Sequence, residues 1–164
     1  MALKTDRSTL QTDISFFMNE AATRGGVVAI STAGSEASMD NGTALVTYSA
    51  LSSGVVPMGL LINDMVSIDL TRQHLNQHKD EVAKGGKVTL LTKGWVVTSN
   101  LEGTDPNGGD LAYLGHSGNI ASSNVGGGAD EGAGLVVGRF LSDVDEDGYA
   151  KVFIDLPNTS AAQN

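Results

Sequence analysis

The chain has 164 residues, enough for one domain with a sizeable core, and its lack of cysteine excludes disulfides and thiolate metal sites. Its formal net charge is −9 with no cluster of Lys and Arg, which argues against nucleic-acid binding by counterion release. Apolar residues make up 40% and aromatics only 5%, beside 21 glycines, so a core of Val, Leu, Ile, Ala and Met between many tight turns is expected, with Trp95 as its one large anchor.

In chain order, residues 1–24 stand apart. They show no strand-like alternation and carry one apolar knot, Ile14, Phe16, Phe17 and Met18. Asp13 or Thr12 can cap a helix of about two turns over Ile14–Ala22. The knot reads either as a terminal helix packed on the chain's own core or as an arm that docks on a partner. Three buried anchors supply roughly 5–9 kcal/mol, whereas ordering ten residues of backbone costs about 10–20 kcal/mol. An isolated arm therefore orders only where a groove adds contacts or backbone pairing.

The body begins at Gly25-Gly26. Val27–Thr32 reads as a short apolar strand and Thr43–Ser49 as a half-buried one. Val55–Ile62 is apolar, with Pro57 at an edge or a strand start, and Met65–Leu70 alternates with period two. Thr71–Lys84 is the most polar stretch, either a short helix capped by Thr71 or a long extended loop. Lys87–Lys93 and Trp95–Ser99 are two strand-like runs on either side of Gly94. Leu111–Leu114 and a Ser117-Gly118-Asn119 turn follow. Beyond the glycine-rich Ala121–Gly134, Leu135–Ser142 and Tyr149–Leu156 form a last pair of strands around Asp143–Gly148. Short strands punctuated by glycine predict a mainly β chain: a small Gly-rich β-barrel or sandwich with an extended or short-helical N-terminal arm. The expected organisation is an arm (1–24), a β-barrel domain (25–157) and a flexible C-terminal tail (158–164).

No run approaches the ~20 apolar residues of a membrane span, and nothing at the N-terminus reads as a signal peptide. The expectation is a soluble, cytoplasmically made protein with no membrane partner. Charge is uneven: from Gly94 onward Arg139 and Lys151 are the only basic residues against ten acidic ones, while residues 1–93 carry eight and nine. The near-neutral half is the better candidate for a contact surface, and the acidic exterior suits a soluble protein made in many copies.

Few constellations invite chemistry. Asp143, Asp145, Asp147 and Gly148 match the front of a calcium-binding loop, but the twelfth position, which should be a bidentate Glu, is Ile154. Asp147-Gly148 between apolar runs is a hairpin signal, and that is the preferred reading. His74 and His78 have the spacing of two ligands on a helix face, yet Leu75 stands where a metalloprotease needs Glu. Gly126-Gly127-Gly128 lacks the Lys-Ser/Thr of a phosphate loop. A hydrolase with a Ser–His–Asp set has no supporting motif, so neither catalytic residues, metal ligands nor cofactors are assigned.

Three phrases, GGKVTLLTKGWVV, GGDLAYLGHSGNI and GLVVGRFLSDVDEDGYAKVFIDLP, resemble in content and order the capsid decoration, or head cement, proteins of tailed bacteriophages. The likeness runs from about Gly25 to Pro157, and DISFFMNEAATRGGVVAIS also looks like the start of such proteins. The resemblance implies a non-enzymatic structural virion protein. It would bind the outer surface of a phage capsid and cement neighbouring major capsid subunits, commonly as a homotrimer. Ile14, Phe16, Phe17 and Met18 are then the expected partner-binding residues, and many identical contacts add through avidity. The His-rich Thr71–Lys84 stretch has no counterpart in the resemblance; it or the arm can instead serve an oligomer interface. The alternatives are a tail or fibre accessory module and a carbohydrate-binding β module, which would stack sugars on exposed aromatics.

Overall fold

The computed structural model describes residues 2–34, 43–48, 55–62, 81–123 and 135–156. The expected strand Met65–Leu70, His74 and His78, most of the glycine-rich segment and the 158–164 tail lie outside these residues. The described strands are β1 (Leu3–Asp13), β2 (Phe17–Met18), β3 (Ala22–Thr23), β4 (Val27–Ala33), β5 (Ala44–Thr47), β6 (Pro57–Leu61) and β7 (Glu81–Val82). They continue with β8 (Leu90–Thr98), β9 (Leu101–Glu102), β10 (Leu111–Leu114), β11 (Ile120–Ala121), β12 (Val136–Phe140) and β13 (Ala150–Asp155), with a 3₁₀ turn at His116–Gly118.

Eleven strands make one sheet in the order β2-β5-β4-β6-β8-β13-β12-β10-β11-β9, with β1 on β8, while β3 and β7 form a separate pair. The fold is mainly β, and among the described residues the sheet does not close into the expected barrel; the sheet-rich fold is consistent with the expected sandwich. β8 joins the halves. Its Leu90 and Leu91 pair with Leu61 and Leu60, its Lys93–Thr98 pair with β13, and β1 runs antiparallel along it from Leu3 to Asp13.

Alternation explains how two cores arise from one sheet. Val27, Leu60 and Leu91 enter a core shared with Val96, Ala112, Phe140, Val152 and Ile154. Their neighbours Val28, Leu61 and Leu90 point the other way, into a second core with Phe16, Met18, Ala22, Val46, Val82 and Val88. The Val-Val and Leu-Leu doublets are thus strands buried on both faces. Pro57 is the first residue of β6, where its missing N–H costs nothing to the ladder.

Three expectations are corrected. No helix forms over Ile14–Ala22, because this backbone bonds to distant strands: Met18 N–H donates to Gly86 O, Asn19 N–H to Val46 O, and Val88 N–H to Phe16 O. Asp13 does not cap a helix; its Oδ1 accepts from Ser15 N–H at 2.7 Å and turns the chain. The runs around Gly94 are one strand, continuous from Leu90 to Thr98. Finally, Trp95 is not the core anchor. It is half-buried on the outward side of β8, and the bulkiest fully buried side chain is Phe140.

Candidate docking surfaces

The four residues of the N-terminal knot do not share a face. Phe16 and Met18 are buried in the second core, whereas Ile14 and Phe17 are half-buried. The ring of Phe17 lies 5.5 Å from the ammonium of Lys87, a cation–π contact. Preceding them, β1 obtains the backbone pairing that an arm of this composition needs, from β8 of its own chain. Among the described residues the outer edge of β1 has no partner strand. Three register irregularities and the charged Lys4, Asp6, Arg7 and Asp13 interrupt that edge, features that disfavour further strand addition.

The turn Asp143–Gly148 is held by its own backbone and by β1. Asp145 Oδ1 accepts from Tyr149 N–H at 2.7 Å and Asp147 N–H at 3.1 Å, while Oδ2 accepts from Lys4 Nζ at 3.0 Å. These bonds, led by the one from Tyr149, hold the Asp145 carboxyl below the usual carboxylate range, and the hydrogen bond to Asp145 raises Lys4. The ammonium of Lys4 also lies 4.1 Å from the Tyr149 ring centre. Ile154, at the position a calcium loop would fill with Glu, is fully buried in β13. Among the described residues no group of three His, Asp or Glu is arranged to hold a metal ion.

His116 faces a carboxylate. Its Nδ1 is 2.6 Å from Glu102 Oε1, and its backbone N–H donates to Glu102 Oε2 at 2.6 Å. The pair ties the 3₁₀ turn to β9, and Ser117 takes a left-handed conformation (φ 52°) within it. On the other side of that turn, Tyr48 packs on Gly118 and its hydroxyl bonds the chain entering β4: it donates to Thr23 O at 2.5 Å and accepts from Gly26 N–H at 3.2 Å. Burial pushes the Tyr48 phenol up, with the Glu20 charge adding to it.

The outward side of β8, β12 and β13 carries a different surface, which size ranking of the sequence overlooked. Ser8, Trp95, Phe153, Arg139 and Leu111 are successive cross-strand partners across β1, β8, β13, β12 and β10. On one flank Val97 pairs with Lys151, whose backbone O accepts from Leu141 N–H; on the other, Lys93 pairs with Asp155. The Lys151 ammonium lies 3.8 Å above the Trp95 ring centre, and Lys93 Nζ is 3.4 Å from Asp155 Oδ1. Arg139 is exposed, and Leu111 and Leu141 are 40% and 46% exposed. The signal was in the alternation. Lys93-x-Trp95-x-Val97 and Lys151-x-Phe153-x-Asp155 each put an aromatic in phase with charges, out of phase with buried Val96 and Val152.

With no helix long and apolar enough to cross a membrane among the described residues, the geometry is that of a β-built scaffold offering surfaces. Comparison with known proteins gives that scaffold a class: residues 4–155 match the phage family described as structural cement protein. The chain belongs to this phage cement protein family, and the match begins within β1. It is accordingly a structural phage protein, associated with the capsid of the virion. No curated protein matches it.

Proposed function

We propose that the chain binds the outer surface of an assembled phage capsid and joins neighbouring major capsid subunits, without catalysing a reaction. The observation that carries this reading is the family match, which spans nearly the whole chain. The favoured working form is a homotrimer, whose linked copies multiply individually weak contacts by avidity. Made in the host cytoplasm, such a protein adds to the capsid exterior.

Two measurements test it. Purified protein is mixed with capsid shells that lack it and with isolated tails, and each is pelleted. Retention by shells and not by tails supports the reading; retention by tails alone favours the tail-accessory alternative. Light scattering then gives the mass in solution, expected to be about threefold that of the 16.9 kDa chain if copies associate as trimers. The carbohydrate-binding alternative draws on the partial exposure of Trp95, although Lys151 lies over its ring. A glycan panel that leaves Trp95 emission unchanged removes it.

A further inference from the structure

We propose that the outward face of β8, β12 and β13, centred on Trp95, Phe153, Arg139 and Lys151, is the capsid-contact face, and that its partner is a protein surface presenting carboxylates around an apolar side chain. This rests on the cement reading and adds to it a surface and a partner chemistry.

The argument is one of charge and of position. The chain carries 19 acidic and 10 basic residues. In its acidic part, from Gly94 on, both basic residues, Arg139 and Lys151, stand on this one face, and Lys93 stands beside them. Asp155 is the single acidic residue in the paired rows, and it sits against Lys93. The paired rows therefore carry three cations against one carboxylate on an anionic molecule, and such a patch selects an anionic partner.

The centre of the face is apolar and aromatic. Trp95 and Phe153 are side by side, Leu111 and Leu141 flank them with substantial exposure, and Arg139 projects between Phe153 and Leu111. Trp and Arg are the residues that most often dominate protein–protein contacts, and β-strands hold them in a fixed row, so little order has to be gained on docking. Among the described residues Arg139 has no ion pair, and its planar fork matches a carboxylate. Three cations on a molecule of this net charge do not make a nucleic-acid site.

The test uses the full-length protein and shells that lack it, with binding read by pelleting over a range of salt. The double variant Arg139→Glu/Lys151→Glu is expected to bind at least tenfold more weakly, and wild-type binding is expected to weaken as salt rises. Arg139→Glu/Leu111→Glu, which alters two exposed side chains, serves as the second variant, with unchanged thermal unfolding as the check on folding. Lys84→Glu, exposed in the turn after β7, is expected to bind as wild type. Wild-type affinity in both double variants overturns the proposed face while leaving the cement reading in place. Absence of wild-type binding to shells overturns both. A loss confined to oligomer mass, or binding of a 20-base-pair DNA duplex as tight as to shells, also overturns it, in favour of a second copy or of nucleic acid.

Discussion

Gly94 sits at the crossing of β8 with β1, in a left-handed conformation (φ 145°), and a Cβ there would lie 2.1 Å from Ser8 O. No rotamer relieves that contact, so Gly94→Ala must push β1 off β8. The expected cost is about 2–4 kcal/mol, read by denaturant unfolding, with faster amide exchange in β1 as its specific mark. Tyr48 makes a second residue-scale prediction. Tyr48→Phe leaves Gly26 N–H and Thr23 O without their partner, and is expected to destabilise by about 1–3 kcal/mol. At this scale the sequence was partly legible. Gly94 between β-branched runs marked a special backbone position, but a glycine in a strand can mean a turn or a close approach, and only the position of Ser8 decides. Trp95 was misplaced for a related reason: size suggests burial, while the phase of alternation, shared with Lys93, puts it outside.

At the scale of elements, the segment after β1 acts as part of the fold. Met18 is fully buried and Phe16 nearly so. Met18→Ala is expected to cost about 2–5 kcal/mol. Ile14→Ala and Phe17→Ala, at half-buried positions, should cost less and are the better probes of docking by this segment. Thermal unfolding of the three variants checks the order. The same reasoning bears on truncation: removing residues 1–24 takes away the strand paired with β8 and three side chains of the second core, so its effect on folding must be measured before its effect on binding is read.

The hairpin between β12 and β13 has its own pH signature. Asp145 is held below the ordinary carboxylate range by Tyr149 N–H and then by Lys4. A depressed folded pKa contributes stability above the unfolded value and loses it as pH falls through the folded one. The stability difference between wild type and Asp145→Asn is thus expected to be full at neutral pH and to shrink below about pH 4, as urea unfolding at several pH values will show. Strand existence was legible wherever apolar runs alternated or doubled, as in β4, β6, β10, β12 and β13. The Ile14–Ala22 segment was not, because its backbone partners, Val46, Gly86 and Val88, are distant in sequence, and local propensity carries no record of them.

For the whole molecule, composition and turn spacing led to a mainly β chain, and the order of its glycine-bounded phrases led to the family that residues 4–155 match. Closure was beyond reach of the sequence: a barrel and a sandwich use the same strands, and whether the outer ones meet depends on bends and bulges spread over the sheet. The outward aromatic–cationic face was equally hidden, since its row is assembled from five strands between Ser8 and Phe153. The most direct test of the cement account is imaging of capsid shells before and after addition of the purified protein. The account predicts added density on the outer surface, one ordered mass bridging each set of neighbouring capsid subunits. Shells that remain bare at saturating protein, or density confined to the tail or the capsid interior, would contradict it.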